Sequence, residues 1–436
     1  MDTIFALATA PGRAAIAVLR LSGPGSREML AGLCGRLPTP RQASLRRLRD
    51  AKGAVLDEAL VLWLPGPASY TGEDSAELHL HGGAAVVEGV GAALVALGAR
   101  PAEAGEFTRR AVLNGRMDLT AAEGVIDLIE AETATQRRQA LRLAGGGLAA
   151  LSASWSDRLA DLLARQEALI EFEDEGLPGA LEREVAAGIE ALAGEMAARL
   201  AGDVGGERVR EGLSIAILGP PNAGKSSLLN ALVGREAAIV SARAGTTRDV
   251  VEVRMVLAGL PVVLADTAGL REAADEVEAE GVRRALGRGE EADLVLALLP
   301  CDAPPDPATL ALLARRPCLV VASKADFGGA GSGGMPAGGL AVSARTGAGM
   351  DELRRALEAE VARLAPGAGE TLLARPRHRA AIRDALGWLA EASKAPLPEL
   401  RADALREALR ALGRLTGRVG AEEILDRVFA EFCIGK

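Results

Sequence analysis

The sequence predicts a multidomain chain: an N-terminal α+β domain, a central helical domain, and an α/β domain inserted into the helical one. Three observations predict it. The 436 residues suggest about three domains at roughly 100–200 residues each. Short β-like runs give way to helical stripes near residue 119, and these to strand–helix alternation near residue 211. Helical texture then resumes after residue 367. The expected parts are 1–118, 119–210, 211–366 and 367–436. Hydrophobic stripes on both sides of the α/β part favour an insertion, although three domains in series would give a similar pattern.

In the first part, the apolar runs Ile16–Leu21 and Ala59–Leu64 read as strands, bounded by Pro65-Gly66-Pro67 and His81-Gly82-Gly83. Thr120 with Glu123 reads as a capping box ahead of Val125, Ile126 and Ile129. Leu148, Leu151, Trp155, Leu159, Leu162, Gln166 and Leu169 fall mostly on one helical face. Gly145-Gly146-Gly147 lies between those stretches. Each Gly costs a helix ~1 kcal/mol against Ala, and the sequence leaves open whether the helix breaks there. Next come the strand-like runs Ser214–Leu218, Val262–Ala265, Leu294–Leu299, Leu319–Ala322 and Leu340–Val342. They alternate with helical segments, the last Met350–Leu364, as in a doubly wound domain with a parallel sheet. Residues 327–339 hold seven Gly and read as a surface connection.

Composition excludes several classes. Net charge is −9, so no global basic field points to nucleic acid. Six Phe, three Trp and one Tyr are too few for a surface of stacking rings. Cys34, Cys301, Cys318 and Cys433 are widely spaced and only three His are present, which argues against a disulfide framework and a Cys/His zinc site. The N-terminus lacks a basic n-region, Pro11-Gly12-Arg13 interrupts its apolar stretch, and no run reaches the ~20 apolar residues of a membrane span. A soluble cytoplasmic protein is expected. The 50 basic residues include only five Lys: Lys52, Lys225, Lys324, Lys394 and Lys436.

Gly219-Pro220-Pro221-Asn222-Ala223-Gly224-Lys225-Ser226 matches G-x-x-x-x-G-K-[ST] between a strand and a helix. Backbone N–H groups of such a loop close on phosphate oxygens, the lysine brings a point charge to the β and γ phosphates, and the hydroxyl ligates Mg²⁺. Ser227 continues the helix start. About 40 residues on, Asp266-Thr267-Ala268-Gly269 ends a strand, where Asp266 can hold Mg²⁺ through water and the Gly269 N–H can meet the γ-phosphate. Between them, Gly245-Thr246-Thr247-Arg248-Asp249 offers a Thr hydroxyl to complete the metal shell. Either segment alone reads more naturally as a polar turn; their order after the phosphate loop gives them weight.

Ser323-Lys324-Ala325-Asp326 and Ser343-Ala344-Arg345 resemble the N-K-x-D and S-A-K elements of GTPases. A carboxylate at Asp326 accepts from guanine N1–H and the 2-amino group, which adenine cannot match, and this disfavours an ATPase. Ser323 stands where the pattern has Asn, so a contact to the base is expected to be lost and guanine affinity weakened. Leu270 occupies the place of the water-orienting Gln of Ras-type enzymes. Glu278 is a candidate substitute, although its acidic surroundings also read as a solvated helix face.

Together these elements resemble the MnmE (TrmE) family of bacterial tRNA-modification GTPases, Era-like P-loop GTPases, over essentially the full length. Pro221 to Ser227, the Gly245–Asp249 segment and the terminal Phe432-Cys433-Ile434-Gly435-Lys436 carry the resemblance. So do Pro11-Gly12-Arg13, Leu19-Arg20-Leu21-Ser22-Gly23, Thr71-Gly72-Glu73-Asp74, His81-Gly82-Gly83 and Gly105-Glu106-Phe107-Thr108. The resemblance implies an N-terminal domain that dimerises and binds 5-formyl-tetrahydrofolate or a related folate, at positions matching Arg20, Glu77, Arg116 and Lys436. Arg116 stands where a Lys is common.

It also implies GTP hydrolysis with Mg²⁺ on Ser226 and Thr247, activated by K⁺ near Asn222, Ser241, Arg243 and Thr246, with Glu278 orienting the attacking water. It implies a homodimer that joins an FAD-dependent partner in a hetero-tetramer and installs a carboxymethylaminomethyl-type group on C5 of the tRNA wobble uridine. Cys433 is a candidate for thiol chemistry, although a lone Cys beside Val428, Phe429 and Phe432 is more often a small buried hydrophobe. The competing reading is a regulatory GTP switch acting in ribosome assembly or RNA binding. A pure switch needs neither the terminal Cys motif nor a folate domain.

Overall fold

The computed structural model describes residues 2–172, 179–234, 251–266, 291–303, 307–313, 315, 318–327, 339–418, 428, 429, 432 and 435. The chain divides into two units: Met1–Ile126 with Arg142–Gly194 and Ala381–Lys436, and Asp127–Leu141 with Glu195–Ala380.

In the first unit, burial alternates along the strands and builds one sheet. Its elements are β1 (Ile4–Leu7), β2 (Ala14–Ser22), α1 (Ser26–Cys34), β3 (Ser44–Arg49), β4 (Val55–Leu64), β5 (Ser75–Gly82), α2 (Ala84–Ala96), β6 (Arg100–Pro101) and α3 (Glu106–Leu113). Strand order is β3-β4-β5-β2-β1-β6, antiparallel except for the β1–β6 pair. Leu19, Leu21, Val61, Trp63, Leu78 and Leu80 form a core with Leu30 and Leu33 of α1 and Val90 and Leu94 of α2. Beside β1, Ile4 and Ala6 cluster with Phe107 of α3.

The family-like motifs of this part do structural work around one buried cation. Arg110 is 4% exposed. It donates to Asp2 Oδ1 at 3.0 Å, Glu73 Oε2 at 3.2 Å and Glu106 Oε1 at 2.9 Å. Glu73 Oε2 also accepts from Ser22 Oγ at 2.8 Å, tying the 71–74 loop to the end of β2. Burial pushes the Glu106 carboxyl up, but hydrogen bonds from Arg100, the Glu103 N–H and Arg110 outweigh it and hold the group at about 2.

The helices that follow are α4 (Leu119–Glu130), α5 (Ala134–Ala144), α6 (Gly147–Glu171), α7 (Gly179–Gly202) and α8 (Gly206–Glu211). The capping box expected at Thr120 is corrected. Asp118 caps α4, its Oδ1 accepting from the Thr120 N–H at 2.7 Å and the Ala121 N–H at 3.1 Å. The chain does break at the triple glycine, where Gly146 takes a left-handed φ of 80°. Leu148, Trp155, Leu159 and Leu162 of α6 are buried, as their spacing predicts.

The second unit holds the α/β part: β7 (Leu213–Leu218), α9 (Lys225–Val233), β8 (Val251–Leu257), β9 (Leu260–Asp266), β10 (Leu294–Pro300), α10 (Pro307–Leu313), β11 (Cys318–Ser323), β12 (Leu340–Val342) and α11 (Met350–Leu364). The order is β12-β11-β10-β7-β9-β8. The sheet is parallel as expected except at its edge, where β8 runs antiparallel to β9. Every residue of β10 is buried, as befits a strand covered on both faces. Leu228, Leu229 and Leu232 of α9 and Leu353, Leu357 and Val361 of α11 pack into one continuous core with Ile215, Ile217, Leu296 and Leu298. Two further helices, α12 (Pro376–Lys394) and α13 (Pro398–Thr416), follow, and from Ala381 on they belong to the first unit. No described helix is long and apolar enough to cross a membrane.

A buried polar hub lies where the chain leaves α11. Gln139 Nε2 donates to Gly206 O at 3.1 Å and to Thr371 Oγ1 at 2.8 Å. The Leu372 N–H donates to Asp203 Oδ2 at 3.2 Å. Arg375 donates to Asp127 Oδ1 at 2.8 Å, with both side chains less than a tenth exposed.

Candidate functional site

The carboxyl end of β7 delivers the loop 219–224, and α9 begins directly after it. The loop turns tightly because Asn222 and Gly224 take left-handed φ values of 58° and 87°. At Gly219 a Cβ would stand 2.6 Å from Leu298 O on the neighbouring β10, a backbone atom that cannot step aside. Lys225, 6% exposed, folds back so that Nζ donates to Gly219 O and Pro220 O, both at 2.8 Å. Asn222, Ser226 and Ser227 are exposed, while Ala223 is buried beneath them. The result is a helix N-terminus with a fixed ammonium beside it, an arrangement suited to anionic phosphate. Asp266 ends β9 opposite Ile217, next to the strand that feeds the loop.

The segment 323–326 meets this loop through one buried hydrogen bond. Ser323, at the end of β11, donates its hydroxyl to Ala223 O at 2.7 Å. The hydroxyl therefore ties the end of β11 to the loop 219–224, a partner its sequence position did not reveal. Lys324 follows in a left-handed conformation, φ 60°, and pairs with Asp302 at 2.7 Å. Asp326 accepts from Ser343 Oγ at 2.6 Å and from Arg345 Nε at 2.8 Å. The Ser343 hydroxyl foremost, with help from Arg345, holds the Asp326 carboxyl below the usual carboxylate range. It is thus an ionised acceptor at neutral pH. Ala344 is half-buried between these two partners.

In the first unit, Arg20 and Glu77 face each other across β2 and β5. Arg20 donates to Glu77 Oε1 at 2.9 Å, and its guanidinium lies 5.4 Å from the Tyr70 ring centre and 5.9 Å from that of Phe107. Arg116 is exposed, and its Cγ would lie 3.2 Å from a Cβ at Gly72. At the other end of the sequence, Phe429 and Phe432 pack on Leu119, Ala122 and Ile126 of α4. Gly435, φ 99°, lies against β1, where a Cβ would meet Leu7 O at 2.2 Å.

Residues 119–433 match the family model described as the MnmE helical domain, and residues 3–116 match that of the GTP-binding protein TrmE N-terminus. The chain belongs to the MnmE family. The protein named tRNA modification GTPase MnmE from Gluconacetobacter diazotrophicus is 56% identical, covering 99% of this chain and 98% of that one. Its namesake from Granulibacter bethesdensis is 52% identical, covering 100% and 99% respectively. Among solved structures, Era in complex with MgGDPNP and 16S ribosomal RNA nucleotides is 28% identical over 34% of this chain and 56% of that one, with a TM-score of 0.27.

Several residues that matter in a reading as an MnmE family member lie outside the described residues: Ser241, Arg243, Gly245, Thr246, Thr247, Thr267, Ala268, Gly269, Glu278, Cys433 and Lys436. The sequence reading missed the Arg110 cluster. Glu73 and Glu106 stood within the motifs quoted for the family, but their shared partner sits on a helix face with no motif of its own.

Proposed function

We propose that this chain is a potassium-activated GTPase that acts with an FAD-dependent partner on the wobble uridine of tRNAs. The product is a carboxymethylaminomethyl-type group at C5, with a folate as the one-carbon source. The observation that carries the nucleotide half is the Lys225 loop joined to the Asp326 carboxylate through the Ser323–Ala223 hydrogen bond. It sets an anion cradle and a base acceptor at the carboxyl end of one sheet. Full-length likeness to proteins named tRNA modification GTPases supports the tRNA half.

Within this reading, the loop N–H groups and Lys225 hold the β and γ phosphates, and Gly219, Gly224, Ser227, Gly245, Thr267, Ala268 and Gly269 belong to the same GTP-binding set. Ser226 and Thr247 offer hard oxygen ligands to Mg²⁺, Asp266 offers a carboxylate to hold it through water, and that donor chemistry fits the ion. Asn222, Ser241, Arg243 and Thr246 hold K⁺. When bound, the two cations neutralise charge that develops on the phosphates during hydrolysis. Glu278 orients the water, and Asp326 reads the base, with Ser343, Ala344 and Arg345 lining the same GTP-binding segment.

The folate reading assigns Arg20, Glu77, Arg116 and Lys436 to folate binding. The Arg20 guanidinium over Tyr70 and Phe107 supports a site for a flat anionic ligand. The seat of Gly435 against β1 supports a role for the terminal Cys433 in the same domain. Exposed Ile16, Leu45 and Leu60 on the sheet face opposite α1 and α2 support a homodimer through that domain. We assign 1–118 to folate binding and dimerisation, 211–366 to the GTPase, and 119–210 with 367–436 to the helical domain.

Two measurements test the reading. Wobble uridines of tRNA from cells lacking this chain are expected to lose the C5 group and regain it when the gene is returned. Unchanged uridines overturn the proposal. GTP turnover by the purified chain is expected to rise roughly 10²-fold when K⁺ replaces Na⁺, the scale of one fixed charge in a transition state. Equal rates in the two salts remove the potassium step.

A further inference from the structure

A carboxylate has about four lone-pair positions, two on each oxygen. At Asp326 each oxygen accepts one hydrogen bond, and a second nitrogen of the same guanidinium crowds Oδ2. Ser343 Oγ donates to Oδ1 at 2.6 Å. Arg345 Nε donates to Oδ2 at 2.8 Å, and Arg345 Nη2 lies 2.8 Å from the same Oδ2. The base-reading edge of guanine brings two donors, N1–H and the 2-amino group, one for each carboxylate oxygen, and the donor for Oδ2 meets an oxygen already covered by two Arg345 nitrogens. Hypoxanthine has the same edge without the amino group, and its single N–H donor can use Oδ1 alone.

We propose that Arg345 is a specificity-determining residue that competes with the guanine 2-amino group for Asp326 Oδ2. The inference rests on the reading of Asp326 as the base acceptor. Binding guanine then requires Arg345 to surrender at least one N–H contact, whereas binding hypoxanthine does not. Arg345 therefore weakens guanine nucleotides selectively and narrows the margin between guanine and hypoxanthine.

The surroundings favour competition over a rigid support. The Arg345 side chain is 75% exposed while Asp326 is 8% exposed, so the guanidinium can leave into water and the carboxylate cannot follow it. The Phe327 ring, 5.9 Å from the Arg345 guanidinium carbon, gives the released cation a face to rest on. The other cation of this segment is engaged elsewhere, since Lys324 pairs with Asp302. An exposed ion pair is screened by salt and small in energy, which sets the expected effect at about two- to fivefold in affinity.

The test measures dissociation constants of the full chain for GDP, IDP and ADP at low and high salt, in the wild type and in Arg345→Met. The methionine keeps an apolar stem over Phe327 and donates nothing. GDP is expected to bind two- to fivefold more tightly to Arg345→Met at low salt, with IDP unchanged and the GDP gain fading in high salt. Unchanged or weaker GDP binding, or an equal gain for IDP, overturns the competition while leaving Asp326 as the base acceptor. Wild-type protein that does not prefer GDP to ADP overturns both.

Discussion

Replacing Lys225 with Ala is expected to lower GTP turnover by about 10²–10³-fold, the usual cost of losing one preorganised donor aimed at developing charge. The expectation follows from how the ammonium is held. It is 6% exposed and donates to two carbonyls of its own loop, Gly219 O and Pro220 O, so its position is fixed before any phosphate arrives. Nothing has to reorganise when charge moves onto the γ-phosphate oxygens. Arginine should not rescue it. A planar guanidinium cannot fit a pocket in which a compact ammonium touches two carbonyls 2.8 Å away. Lys225→Arg should therefore resemble Lys225→Ala in phosphate release. Wild-type turnover in Lys225→Arg would show that position and charge sign suffice and would reject the argument.

That lysine also marks how far the sequence could be read. In a chain that writes Arg for nearly every basic residue, Lys225 and Lys324 stand in the phosphate loop and the base-reading segment. The loop between a strand and a helix was legible because its chemistry demands particular residues at fixed spacing. The strands of the α/β part were legible because a parallel sheet buries both faces and leaves continuous apolar runs such as Leu294–Leu299. The antiparallel edge strand β8 was missed, although Ala258-Gly259, with φ values of 50° and 77°, forms a two-residue hairpin turn that joins Leu257 to Leu260 of β9.

Partners across long separations were the least legible. The Ser323 hydroxyl and Ala223 O are 100 residues apart, and only the packing of β11 beside β10 brings them to 2.7 Å. The capping error had a local cause. Thr120 and Glu123 had the right spacing, but the helix starts at Leu119, one residue earlier, so Asp118 is the cap and its Oδ1 takes the N–H groups of Thr120 and Ala121. Arg110 illustrates the remaining gap: a buried cation becomes visible only when Glu73, Glu106 and Asp2 are folded around it.

Asp127→Ala is expected to destabilise the second unit by about 3–5 kcal/mol, because it removes one member of a buried ion pair and leaves the other charge in place. The pair joins the end of α4 to the residue before α12, 248 positions apart in sequence. Both side chains are less than a tenth exposed, so water cannot replace the lost carboxylate. Asp127→Asn should cost less, because the amide oxygen can still accept from Arg375 while the charge is lost. Urea unfolding of the purified variants measures the difference, and hydrogen exchange at 371–380 locates it. The Leu372 N–H, donated to Asp203, is the amide expected to lose protection first. Nucleotide affinity should change little in either variant while the protein stays folded. The core that supports the phosphate loop runs through Ile215, Ile217, Leu228, Leu296 and Leu298 without either partner of the ion pair. A variant that keeps wild-type stability but loses GDP binding would reverse that assignment and place the pair in the nucleotide site's support.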